Sequence, residues 1–184
     1  MRFIKFLLLS CVALLTLNGY AQRPINQHPV IMPEREEDKK EWVEESVTPP
    51  EYFKEDDLIA FDVSAANSNR FFVDSKSIGL GKDDVLRYTL VIKSSAGALN
   101  ISYEGLRCAT RERKLYALGR PDGSWVTARA PKWSSVTASG TVTAQRILMN
   151  DFFCPKEISV KSIEEAVSAL RAGIHPRVRT RAQR

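Results

Sequence analysis

Val85-Leu86-Arg87-Tyr88-Thr89-Leu90-Val91-Ile92-Lys93 and Ala98-Leu99-Asn100-Ile101-Ser102-Tyr103-Glu104, joined by residues 94–97, are the stretch on which the fold turns. In the first segment Leu86, Tyr88, Leu90 and Ile92 recur with period two. In the second, Leu99, Ile101 and Tyr103 alternate with Asn100, Ser102 and Glu104. Successive strand residues point to opposite faces, so this pattern predicts an antiparallel hairpin with one buried and one polar side.

Working outward, residues 58–63 and 70–74 read as two earlier strands separated by a polar turn, with a second turn at residues 79–84. Downstream, the strand continues through residues 106–110 past Gly105, which reads as a bulge. Residues 114–118 and 125–128 pair across Pro121-Asp122-Gly123, a sequence suited to a tight turn. After Trp133 the period changes. Ala144, Ile147, Leu148 and Phe152 form a helical stripe that ends at Cys154-Pro155. Ser162-Ile163-Glu164-Glu165 is a capping box, followed by Ala166, Val167 and Leu170 at helical spacing and stopped by Gly173 and Pro176. Strands first and helices after mean α+β: an antiparallel β-meander sheet with two C-terminal helices packed on one face.

The chain begins with Arg2 and Lys5, an apolar run from Phe6 to Leu17, and Gly19-Tyr20-Ala21. That is the three-part pattern of a secretory signal peptide, cut between Ala21 and Gln22. A membrane anchor fits less well, because the run reaches only about 18 Å against a hydrocarbon core of about 30 Å. A lipoprotein with Cys11 lipidated is disfavoured because apolar residues continue beyond it. The expected organisation is a signal peptide over residues 1–21 and an acidic, Pro-rich leader with a short surface helix over 22–51. A single domain follows over 52–174, then a basic disordered tail over 175–184. No span is expected in the mature chain, and the expected location is the periplasm.

Cleavage removes two positive charges and lowers the net charge from +5 to +3. Between Glu34 and Asp57 eleven acids face four bases, or −7, whereas Leu58 to Arg184 carries twenty bases and eleven acids, or +9. The acidic leader either neutralises the basic body or leaves it free for anionic polymers. The scattered placement of the bases favours neutralisation, and nucleic acid is not the expected partner. Loss of Cys11 leaves Cys108 and Cys154, an even number in an exported chain, which predicts one structural disulfide closing 46 residues.

Histidine is scarce. His28 lies in the leader and His175 beyond the last helix, so Ser-His-Asp, Cys-His and His-metal chemistries lack a positioned base or ligand. No cofactor and no metal are expected. Asp83-Asp84 reads as a solvated turn. Gly79-x-Gly81-Lys82 lacks the hydroxyl residue and following helix of a phosphate loop. Glu104, flanked by Tyr103 and Arg107 and placed on the same hairpin face as Arg87, is either an exposed cross-strand ion pair or a binding group. Arg87, Tyr103, Glu104 and Arg107 are therefore the binding candidates. Trp125, Trp133, Phe152 and Phe153 read as core.

Residues 84–91, residues 95–108 with the block Tyr103-Glu104-Gly105-Leu106-Arg107-Cys108, and Phe152-Phe153-Cys154-Pro155 together resemble the CNP-one-like family of small exported Gram-negative proteins. The likeness spans roughly residues 40 to 172. It implies an envelope location and the same cysteine pair, and it carries over no catalytic residues. The functional expectation is a non-enzymatic periplasmic protein that binds an envelope component or another protein. The alternatives are a carboxylate-based hydrolase of an envelope glycan built on Glu104, and an electrostatic binder of anionic envelope polymers.

Overall fold

A computed structural model describes residues 41–65, 67–137 and 143–178. The expected signal peptide, most of the expected leader and the arginines from 179 onward lie outside the described residues.

Six strands form one antiparallel meander in sequential order: β1 (Leu58–Phe61), β2 (Arg70–Leu80), β3 (Val85–Lys93), β4 (Leu99–Arg107), β5 (Glu112–Gly119) and β6 (Trp125–Thr127). A two-residue β7 (Ser134–Ser135) pairs with β5 beside β6. The turn between β3 and β4 closes on a Gly97 N–H to Ser94 carbonyl bond of 3.0 Å, with Gly97 at φ 85°, a conformation open to a residue without Cβ. β2 runs six residues further than expected, through Gly79 and Leu80, because a bulge carries it past Asp74. There the Asp74 carboxylate accepts the Lys76 N–H at 3.0 Å and the Ser77 hydroxyl accepts the Thr89 N–H at 2.7 Å. These side chains supply the ladder bonds that the bulge removes.

The helical layer follows the sheet, as expected for α+β. α1 (Ala144–Ile147) starts on the Thr143 side chain, which accepts the Arg146 N–H, and widens at once into a π-helical turn over Leu148–Phe153. The wide turn buries Leu148, Met149, Phe152 and Phe153 together, more than an ordinary α stripe would present to one face. α2 (Ile163–Arg171) is capped by the Ser162 hydroxyl, which accepts the Glu165 N–H at 3.2 Å. The core between sheet and helices is built on Phe71, Val73, Leu86, Tyr88, Leu90 and Leu106. Cys108 and Cys154 form the disulfide, with Cα atoms 5.4 Å apart, tying the end of β4 to the end of the π turn.

The hairpin differs from the expectation of one buried and one polar side: both faces of β3 are covered, and every residue from Val85 to Val91 is buried. The second cover is the segment from Trp42 to Phe53, which as far as residue 51 the composition assigns to a leader. The described residues from Trp42 onward belong to one compact unit. Residues 42–45 are not helical. Trp42 and Glu44 are partly buried while Val43, between them, is 76 % exposed. The Trp42 indole donates to the Asp83 carbonyl at 2.8 Å, and its ring lies edge-on to Trp133 at 5.9 Å. Further along, Tyr52 packs on Phe53 and Trp125, and the Trp125 indole donates to the Pro50 carbonyl at 2.9 Å. Both tryptophans read as core therefore hold this strap, whereas Phe152 and Phe153 fill the core between sheet and helices.

At the strap one acid of the leader meets the basic body. The Glu44 carboxylate accepts from Lys114 Nζ at 2.7 Å, Tyr116 Oη at 2.9 Å and Trp133 Nε1 at 3.2 Å. Burial alone would raise its pKa, but these three donors outweigh burial and hold it below the usual carboxylate range.

Candidate ligand cleft beside the disulfide

The register places the sequence candidates on two different sides of the sheet. Residues paired across an antiparallel ladder share a face. Tyr88 pairs with Glu104 and Arg87 with Gly105, so Arg87 and Glu104 lie on opposite faces. The expected Arg87–Glu104 pair does not form, because apolar positions of β3 align with the polar positions of β4.

Arg87, Tyr103 and Arg107 face the strap. Arg87 is 3 % exposed and grips Asp83 with two bonds, Nη1 to Oδ1 at 3.0 Å and Nη2 to Oδ2 at 2.6 Å. Its Nη2 also donates to the Glu45 carbonyl at 3.3 Å, and Asp83 accepts the Glu45 N–H at 2.8 Å. Burial would raise the Asp83 pKa, but the Arg87 guanidinium and these N–H donors prevail and lower it. Asp83 is thus a buried anchor for the strap and not a solvated turn. Arg107 lies 3.9 Å over the Trp42 ring, and Tyr103 packs against Tyr116 and Trp125. Glu104 lies under α1, 3 % exposed, accepting from Tyr88 Oη at 3.3 Å, Ser102 Oγ at 2.7 Å and Gln145 Nε2 at 3.0 Å. Each of the four supports packing between layers.

An open cleft of about 670 Å³ lies instead where the disulfide gathers two loops, lined by Arg111, Asn150, Asp151, Cys154, Lys156, Glu157, Arg177 and Val178. Four of its five charged groups come from residues within three positions of the cysteines: Arg111 after Cys108, Asp151 before Cys154, and Lys156 and Glu157 after it; the fifth is Arg177. The backbone here is constrained. Arg111, Lys156 and Glu157 all adopt left-handed conformations, at φ 55°, 58° and 66°, and they are three of the four such non-glycine residues described. Each costs roughly 1–2 kcal/mol for a residue with a Cβ, and strain of this kind persists where surrounding structure enforces it. The disulfide, the buried Pro155 and the Val160 N–H to Phe153 carbonyl bond of 3.0 Å supply that enforcement.

His175 is held in place behind these residues, contrary to the expectation that no core positions it. It is buried, and its backbone N–H donates to the Asp151 carbonyl at 2.8 Å. Nδ1 accepts the Arg177 N–H at 3.1 Å, so that nitrogen carries no proton and Nε2–H donates to Glu165 Oε1 at 3.0 Å. Glu165 also accepts from Lys161 N–H and from Arg177 Nη2. The backbone bond from Lys161 leads, and with Arg177 and His175 it outweighs burial and draws the Glu165 pKa down to about 2. This network seats the first turn of the tail on the π turn and sets Arg177 at the cleft rim.

The cleft's charges are unequally satisfied. The Arg111 guanidinium donates to Asn150 Oδ1 at 2.8 Å and stands 3.6 Å from Glu157 Oε1, and Arg177 is paired with Glu165. Among the described residues, neither the Asp151 carboxylate nor the Lys156 ammonium has a side-chain partner. Burial raises the Asp151 pKa, as expected for a half-buried carboxylate without a compensating cation. Among the described residues no three His, Cys, Asp or Glu side chains converge as a metal site would need. The arrangement can bind charged groups of either sign.

These features define a disulfide-bridged α+β domain, a meander sheet between an acidic strap and a helical layer, with a polar cleft at the crosslink. The chain belongs to the CNP1-like family, whose model matches residues 37–171. No curated protein and no solved structure matches the chain. No helix among the described residues is long and apolar enough to cross a membrane.

Proposed function

We propose that the protein is exported by cleavage after Ala21 and acts in the periplasm as a binding protein without catalytic activity, using the cleft beside the disulfide as its ligand site. The observation that carries this reading is the juxtaposition, in one constrained cavity, of the unpartnered Asp151 carboxylate and the Lys156 ammonium. The volume falls within the range of small-molecule sites, about 300–1,000 Å³. A crosslink persists where the surroundings are oxidising, which agrees with export. The burial of Glu104 favours binding over the carboxylate hydrolase, since a general acid must reach the proton it transfers.

The test has two parts. Cell fractionation with N-terminal sequencing should place the mature chain in the periplasm, beginning at Gln22. Protein purified from the envelope fraction should release a small molecule on denaturation, detected by mass spectrometry, and Asp151→Asn/Lys156→Asn protein should release little of it. Equal release from the two proteins would sink the cleft as the site.

A further inference from the structure

We infer that the cleft takes a short unblocked peptide, its free carboxylate held at Lys156 and Arg111 and its free ammonium held at Asp151. This rests on the cleft being the ligand site and adds the chemical class.

The argument begins with what is left unpaired. Lys156 is exposed and Asp151 half-buried, and neither charge is matched within the described residues. Arg111 adds a second cation whose planar donor fork is already oriented by Asn150 and Glu157. Such a fork suits a carboxylate, which accepts two parallel N–H bonds. A ligand bearing only an anion would leave Asp151 as an uncompensated, partly desolvated charge; one bearing only a cation would leave Lys156 and Arg111 facing it. A ligand carrying both charges satisfies both. Size selects among such molecules. A cavity of about 670 Å³ is roughly 9 Å across if its sides are equal, the reach of two to three extended residues at about 3.5 Å each. Cys154 and Val178 supply the apolar part of the lining for side chains.

Two substitutions isolate the charges without threatening the fold. Asn tolerates the left-handed conformation that Lys156 adopts at φ 58°, so Lys156→Asn keeps its backbone. Asp151 contributes its carbonyl, not its carboxylate, to the contact with His175, so Asp151→Asn keeps that contact. At pH 7 Asp151→Asn should melt no lower than wild type, since it removes a carboxylate that burial disfavours.

The probe is a mixture of unblocked dipeptides and tripeptides, offered by saturation-transfer NMR to the mature protein beside the same mixture N-acetylated, the same mixture C-amidated, and free amino acids. The unblocked peptides should bind, each blocked set should bind at least tenfold more weakly, and single amino acids should fall between. Lys156→Asn should weaken carboxylate-bearing peptides and narrow the gap to the amides. Asp151→Asn should narrow the gap to the acetylated set. Equal binding of blocked and unblocked peptides overturns the inference. So does absence of peptide binding at millimolar concentration while the purified protein still releases a cleft-dependent molecule, a result that leaves the binding reading standing. If either variant fails to fold, the comparison of blocked with unblocked peptides on wild type decides alone.

Discussion

Replacing Arg87 with Met tests whether the strap is held by a buried ion pair or merely rests on the sheet. Arg87 is 3 % exposed and Asp83 7 %, and the pair shares two bonds, 3.0 and 2.6 Å. Methionine keeps the apolar part of the stem and removes the guanidinium. The Asp83 carboxylate then stays buried with only N–H donors, and the Glu45 carbonyl loses its partner. Removing one member of a buried pair costs about 3–5 kcal/mol, a large part of a domain stability of about 5–15 kcal/mol. With a urea slope near 2 kcal/mol per molar, the midpoint should fall by roughly 2 M. Urea titrations followed by circular dichroism and by tryptophan fluorescence are the assay. Trp42 and Trp133 sit at the strap, so the fluorescence transition should move first or furthest. Asp83→Asn should also destabilise, and the double variant should be less damaged than the sum of the singles by about 2 kcal/mol. A loss below about 1 kcal/mol with no coupling is the behaviour of an exposed pair, and it would refute the claim that this contact anchors the strap.

Four further outcomes follow from the same geometry. Cys108→Ser/Cys154→Ser opens a 46-residue loop and should lose about 4 kcal/mol in denaturant titrations; unchanged stability would mean that the crosslink does not constrain the unfolded chain. The low Glu165 pKa implies stability that is full above about pH 4.5 and is lost as pH falls toward 2, because folding favours the ionised form. Its carboxylate is 29 % exposed, so solvent screening reduces the contribution to about 1–2 kcal/mol, and the gap between wild type and Glu165→Gln should close across that window. Gly105→Ala should cost about 1–3 kcal/mol, because a Cβ there would lie 2.8 Å from the Tyr116 ring and 2.9 Å from Val85 Cγ1. Gly79→Ala, with nothing within 4 Å of its Cβ, should move the melting temperature far less.

Much of the fold was legible because local patterns carried it. The period-two run from Val85 to Ile92 is a strand over Val85–Lys93, the turn over residues 94–97 closes on Gly97, and Ser162 caps α2. The β2 extension was not legible, since it depends on Asp74 and Ser77 side chains completing a bulge, which no periodicity announces. The π turn escaped for a similar reason: Met149 falls off the α stripe, and the widened turn buries it beside Leu148, Phe152 and Phe153.

The candidate site was less legible, and the reason is register. Alternation in β4 correctly separates Glu104 from Tyr103, but it does not say which set aligns with the apolar set of β3. The ladder aligned Tyr88 with Glu104, which sealed the expected functional carboxylate beneath α1 and sent Arg87 to the strap. The residues that line the cleft, Arg177 and Val178 apart, had one available signal, the concentration of charge within three positions of Cys108 and Cys154. That signal becomes informative only once the two loops are known to meet around the crosslink.

Strand order, the cysteine pair, the helical C-terminal layer and the family likeness were set by the chain alone, because each rests on neighbours in sequence or on a simple count. The strap, the burial of Arg87, Asp83 and Glu104, and the gathering of Arg111, Asp151, Lys156 and Arg177 into one cavity were decided only by tertiary structure. Those features depend on which distant segments touch, and a charged residue's sequence neighbours do not reveal whether its final partner is water, a counter-ion or nothing.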